Sequence, residues 1–112
     1  MSKKIEKYVP KALEAIVKFE IANNGEVPKQ FNGYISSFGA SVRQAGLLAT
    51  VLFYANEQSN SEEDRKKVIE AIEHIIGQKI VKENNTIDPS TREKVQNAAV
   101  ALKLCVRTFK LV

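Results

Sequence analysis

Apolar residues recur at a spacing near 3.6 along almost the whole chain, and very little of it alternates apolar and polar residues with period two. A half-buried strand needs that alternation and a helix needs the 3.6 spacing, so the pattern restricts the fold to packed amphipathic helices. The reading is all-α: a compact bundle of about five helices forming a single helical domain over residues 1–112. A chain of this length buries a core without disulfides or metal, and its 44% hydrophobic and 27% charged residues are ordinary globular values.

The first helix is expected from about Lys3 to Asn23, burying Ile5, Val9, Ala12, Leu13, Ile16, Val17 and Ile21. Pro10 has no N–H to donate, so it either kinks this helix or marks a break after a short first turn. Asn23-Asn24-Gly25 supplies the stop and Pro28 the restart. Between Pro28 and Phe38, Phe31, Tyr34, Ile35 and Phe38 fall at helical spacing, although Asn32-Gly33 is also a hairpin signal; a short helix ended by Gly39 is favoured. Ser41 with Gln44 reads as a capping box for a third helix over about Val42 to Asn56. That helix is apolar almost all round and is expected at the centre of the bundle. Gly46 inside it implies a closely approaching neighbour.

Gln58-Ser59-Asn60 reads as a polar loop. Ser59 with Glu62, or Asn60 with Glu63, caps a fourth helix carrying Val68, Ile69, Ile72, Ile75 and Ile76 and stopping at Gly77. Lys79 to Ile87 is a polar, mobile connection. Asp88-Pro89 then opens a last helix to about Lys110, with Val95, Ala98, Ala99, Leu102, Val106 and Phe109 on one stripe.

The residue inventory argues against catalysis. His74 is the single histidine; beside Glu70 and Glu73 it reads as a surface or boundary residue, and no paired metal-ligand motif accompanies it. Cys105, the single cysteine, has apolar neighbours at helical spacing and reads as a buried, inert thiol. A lone cysteine also suits a reducing, cytoplasmic setting. Glu62, Glu63 and Asp64 stand at a helix start, where the macrodipole favours carboxylates without any acid–base role. No Gly-rich phosphate loop occurs, and no cofactor or metal is expected. No apolar run approaches the ~18 residues of a membrane span, and no signal-peptide pattern follows Met1-Ser2-Lys3-Lys4.

Two features point to binding instead. The net charge of +4 is unevenly spread. Ser61 to Gly77 holds three basic against five acidic residues, and Arg92 to Val112 five against one. On the last helix Gln96, Lys103, Arg107 and Lys110 fall at successive offsets of seven, four and three, a basic-polar stripe able to track phosphates. The same residues would also suit an ordinary solvated helix end. Arg43 stands just inside the expected start of the third helix, where a cation opposes the dipole unless an anion arrives; an acidic side chain could equally draw it aside.

The run from Ser37 to Ala55, SFGASVRQAGLLATVLFYA, and the run from Ala98 to Leu111, AAVALKLCVRTFKL, together resemble the small helical subunit of the type III-B CRISPR RNA-guided effector, the Cmr complex. The family pattern has small residues before a helix opening, here Gly39-Ala40-Ser41, then Arg43-Gln44, Gly46-Leu47 and the aromatics Phe53-Tyr54. Its C-terminal helix matches Ala101-Leu102-Lys103 and Arg107-Thr108-Phe109. These are packing motifs rather than a catalytic signature, and residues 79–87 match nothing in the pattern. The resemblance implies a non-catalytic structural subunit in antiviral defence. It would stack beside the backbone subunits and neighbouring copies of itself, near the large subunit, and contact the backbone of the guide–target RNA duplex. The expected RNA contacts are Arg43, Gln44, Lys103, Arg107 and Lys110. The competing reading is a cytoplasmic helical protein–protein adaptor without nucleic-acid contact.

Overall fold

A computed structural model describes residues 3–55 and 62–112. Its fold is all-α. One helical turn, α1 (Lys3–Glu6), precedes five longer helices: α2 (Val9–Lys18), α3 (Lys29–Ala45), α4 (Leu47–Tyr54), α5 (Glu62–Ile76) and α6 (Pro89–Val106). The loop expected at Gln58-Ser59-Asn60, its capping pairs and the end of the third helix at Asn56 lie outside the described residues.

Pro10 marks a break rather than a kink. It occupies the first turn of α2, where its missing N–H has no intrahelical partner to lose. α2 then ends at Lys18, five residues before the expected stop. Glu20 takes a left-handed conformation (φ 59°), and the N–H groups of Ile21 and Ala22 both donate to the Ile16 carbonyl at 3.0 Å, a Schellman-type closure. Ile21 is fully buried from outside the helix. Leu13 and Val17, expected in the core, are 38% and 62% exposed. Ala12 and Ile16 are buried as expected and Ala15 joins them; the two alanines let α5 and α6 approach α2.

A second departure follows Asn24 and Gly25, both at positive φ. The chain turns into a two-residue strand, β1 (Glu26–Val27), which pairs in parallel with β2 (Lys110–Leu111). Lys29 N–H donates to the Val112 carbonyl and Val112 N–H to the Val27 carbonyl, each at 2.9 Å. The C-terminal segment is thereby clipped to the entrance of α3. No alternation marks these strands, because two residues are too few to display a period.

The helix expected over Pro28 to Phe38 is present, without a hairpin at Asn32-Gly33, but it does not stop at Gly39. It runs to Ala45, and the break falls at Gly46. Burial of Phe31, Ile35 and Phe38 on one face outweighs the ~1 kcal/mol that a helical glycine costs relative to alanine. Ser41 therefore caps nothing. Its hydroxyl lies 2.8 Å from the buried Thr50 hydroxyl, which donates to the Gly46 carbonyl at 2.9 Å and so receives the Ser41 proton. Gly46 holds φ 91° and ψ 162°, and a Cβ built there would meet nothing within 4 Å. Backbone conformation, not a close neighbour, is what requires glycine there.

α4 is apolar all round but not central. Leu47, Thr50, Val51 and Tyr54 are buried, while Leu52 and Phe53 are about half exposed. The Arg65 guanidinium of α5 stands over the Phe53 and Tyr34 rings, 5.1 and 5.3 Å from their centroids, and so partly covers the outer side. α5 stops at Gly77 (φ 72°) as expected. Residues 79–87 are better anchored than a mobile connection would be. Ile80 is buried, its N–H donates to Glu73 Oε2 at 3.0 Å, and Lys82 N–H donates to the Thr86 carbonyl. Pro89 opens α6 with Asp88 at the N-cap position, but the Asp88 side chain makes no capping bond; it pairs with Lys82 at 2.6 Å. The core gathers α2, α5 and α6 with α3 against them, and Phe38, Ile16, Ile72, Val95 and Leu102 are among its fully enclosed side chains.

Candidate nucleic-acid interface

α6 ends at Val106, four residues short of the expected Lys110, so the basic stripe is shorter than its spacing implies. Arg107 is the C-cap residue of α6. Lys110 lies on β2 and faces Glu26 across the strand pair, with Nζ 3.9 Å from Oε2. Within α6 itself Gln96, Ala99, Val100 and Lys103 share one outward stripe, since offsets of three and four return to the same helix face.

That stripe meets a matching one on α3. Ser36, Gly39, Val42 and Arg43 face it across a groove of about 380 Å³, with Ile35 and Phe38 at its base. The structure thus sets Arg43 and Lys103, sixty residues apart in the chain, along one groove. No carboxylate lines the groove, and neither cation is ion-paired among the described residues. Arg43 is not at a helix start, as the sequence suggested, but in the last turn of α3, where the dipole favours a cation. Arg43 therefore does not oppose a helix dipole, and no anion is needed to offset it. Gln44 is exposed beside it in the same turn and does not line the groove. Arg107 and Lys110 also lie outside it.

Gly39 and Val100 were not anticipated as groove residues. Val100 and Leu104 left a signal in the sequence: two apolar residues one turn apart on the polar side of α6, 43% and 39% exposed. A second hollow of similar volume, between the end of α2 and α5, sets Glu20 and Glu70 among Lys18, Lys66 and Lys67. Its mixed charge makes it a poorer match for a polyanion than the groove between α3 and α6.

The remaining chemistry-bearing side chains serve the fold. His74 Nε2 lies 2.8 Å from Glu14 Oε1, and its ring packs edge-on to Phe19 at 5.8 Å. It is a boundary residue, as expected, though its acidic partner comes from α2 rather than from α5. The hydrogen bond to His74, then the charge of Lys11, hold the Glu14 carboxyl below the usual carboxylate range. Among the described residues no three His, Cys, Asp or Glu side chains come close enough to hold a metal ion. No described helix is long and apolar enough to cross a membrane.

Cys105 is 3% exposed, and burial pushes its thiol pKa up. A thiol needs thiolate character and access to react. At neutral pH the native protein should therefore leave an aromatic disulfide reagent unreacted, and the denatured chain should release one equivalent. Rapid reaction of the native protein would contradict the buried placement.

The family model for CRISPR-associated protein (Cas_Cmr5) matches residues 4–105. No curated protein and no solved structure matches the chain. The family match reaches every helix, α1 from its second residue, α2 to α5 whole and α6 to its penultimate residue, and it agrees with the resemblance carried by the two helical runs. The chain belongs to the Cas_Cmr5 family and is a CRISPR-associated subunit of the Cmr type.

Proposed function

We propose that the chain is a non-catalytic structural subunit of a type III-B CRISPR RNA-guided effector, acting in the cytoplasm in antiviral defence. It lies beside the backbone subunits, near the large subunit and further copies of itself, and contacts the target RNA strand. The observation that carries this reading is the convergence of Arg43 and Lys103 on one groove that contains no carboxylate. Gln44 and Arg107 extend the contact from the adjoining helix ends, and Lys110 is its outlying member. Such contacts with sugar and phosphate position a strand without reading its sequence. Each phosphate neutralised releases counterions and steepens the salt dependence of binding by roughly 0.7 to 0.9 in the log–log slope.

The test is a salt titration of target-RNA affinity for the assembled effector carrying Arg43→Ala, Lys103→Ala and Arg107→Ala together. Affinity should fall to a similar degree for unrelated target sequences, with a shallower slope. Stability should hardly change, since exposed charges contribute little. If the variant subunit is incorporated and both affinity and slope are unchanged, RNA does not touch this face and the protein–protein adaptor reading takes its place.

A further inference from the structure

We propose that the groove between α3 and α6 holds one unpaired nucleotide, so that this chain prefers single-stranded RNA to a duplex. This rests on the RNA-binding reading above and adds to it the form of RNA that the groove accepts.

The case begins with Gly39. It sits in the middle of α3 in ordinary helical conformation, where glycine costs ~1 kcal/mol relative to alanine. Its φ is not positive. A Cβ added there would meet only the Arg43 guanidinium, at an ordinary 3.7 Å. Neither backbone conformation nor core packing calls for glycine at this position. What the missing side chain leaves is depth in the groove.

The groove's chemistry differs from that of a phosphate-tracking face. Its walls are apolar at Val42, Ala99 and Val100, and besides the two cations its polar side chains are few, Ser36 and Gln96. Its volume, about 380 Å³, lies within the ~300–1,000 Å³ of small-ligand sites with mostly apolar walls and a few polar groups. A surface built for phosphates alone has no use for such a hollow. Phe38 at its base is 1% exposed, so its ring offers no stacking platform. A base would be held by its faces against the aliphatic walls, and the Gln96 amide, both donor and acceptor, can pair with any base edge.

The cations match the ends of a nucleotide. β2 follows α6 and is clipped beside the entrance of α3, so the end of α6 lies near the beginning of α3. Lys103, one turn before the end of α6, therefore stands at one end of the groove, and Arg43, in the last turn of α3, reaches its guanidinium back from the other end as far as Gly39. A nucleotide within a strand carries a phosphate on each side, and the groove offers two cations and no carboxylate to meet them. In an A-form duplex the bases are paired and stacked inside, and only backbone and groove edges reach a protein surface. A duplex cannot fill the hollow.

The sign of the preference makes the idea testable. Pure phosphate contact favours a duplex, whose charge density is higher and whose salt slope per contact is steeper. Nucleotide insertion reverses that order. The measurement is fluorescence polarisation of the full-length chain with a labelled oligoribonucleotide, single-stranded or annealed to its complement. A second readout is the emission of a 2-aminopurine base within the single strand. The single strand should bind at least about ten-fold more tightly, with a change in 2-aminopurine emission. Gly39→Leu, which fills the groove, and Val100→Gln, which makes a wall polar, should each remove the preference and the emission change while leaving duplex binding in place. Gly33→Leu is the control, on the same helix but in open space, and should change neither. Equal or tighter binding of the duplex by the wild-type chain would overturn the nucleotide pocket and leave the phosphate-contact reading standing. Retention of the preference in Gly39→Leu would overturn it equally. Loss of all RNA binding at low salt in the wild-type chain would instead remove the underlying reading.

Discussion

Phe38→Ala is expected to lower the free energy of unfolding by about 3–5 kcal/mol, the usual cost of truncating a buried phenylalanine. Phe38 is 1% exposed and lies where α3, α4 and α6 meet. Its ring packs edge-on to Tyr54 at 5.4 Å, a geometry worth ~0.5–1.5 kcal/mol beyond burial. Tyr54 in turn donates its hydroxyl proton to the Tyr34 carbonyl at 2.6 Å, so the cavity would loosen a tie between α3 and α4 as well as remove apolar contact. Domains of this size have only ~5–15 kcal/mol of net stability, and the loss would take a large share of it. Urea denaturation followed by helical circular dichroism measures the effect. Phe38→Leu, which keeps most of the volume, should cost much less. A loss below ~1 kcal/mol for the alanine variant would mean that this junction is not the packed centre described above.

Gly46→Ala and Gly46→Leu should both destabilise the protein, by about the same amount, roughly 1–3 kcal/mol. At φ 91° and ψ 162° the backbone occupies a region open essentially to glycine alone, and the penalty is incurred by the first carbon of any side chain. Beyond that carbon lies open space, so the extra size of leucine adds nothing. Gly39→Ala should go the other way and stabilise slightly, because Gly39 has a helical backbone and room for a methyl group. The comparison separates two reasons for a glycine that sequence alone does not distinguish. A leucine variant much worse than the alanine variant would show that a neighbour does press on Gly46.

The helical class, the start at Asp88-Pro89, the stop at Gly77 and the burial of Val68, Ile72, Val95, Leu102 and Cys105 were legible before any coordinates. Each depends on local chemistry. A 3.6 spacing selects the face that must be covered, proline suits a helix start because it lacks an N–H, and glycine tolerates positive φ. The errors share a different origin. Gly39 was expected to end a helix and Gly46 to sit inside one, and the two roles are reversed. Local propensity differs little between the two positions. The choice is made by burial of Phe31, Ile35 and Phe38 along one unbroken helix, and by the Ser41–Thr50 hydroxyl contact beside the break at Gly46. The stripe that was to reach Lys110 failed for a related reason: residues 110–112 find backbone partners near Val27 and leave the helix to meet them.

Sequence alone determined that this is a bundle of amphipathic helices with a basic C-terminal third, because those properties follow from residue type and near-neighbour spacing. It could name Arg43 and Lys103 as cations of interest, but not that they share a groove. They are sixty residues apart, and their approach depends on how α3 lies against α6, on the clip between β1 and β2, and on a glycine whose absent side chain leaves the space between them. Those are long-range packing decisions, settled by which apolar faces can be buried together, and only the tertiary structure makes them.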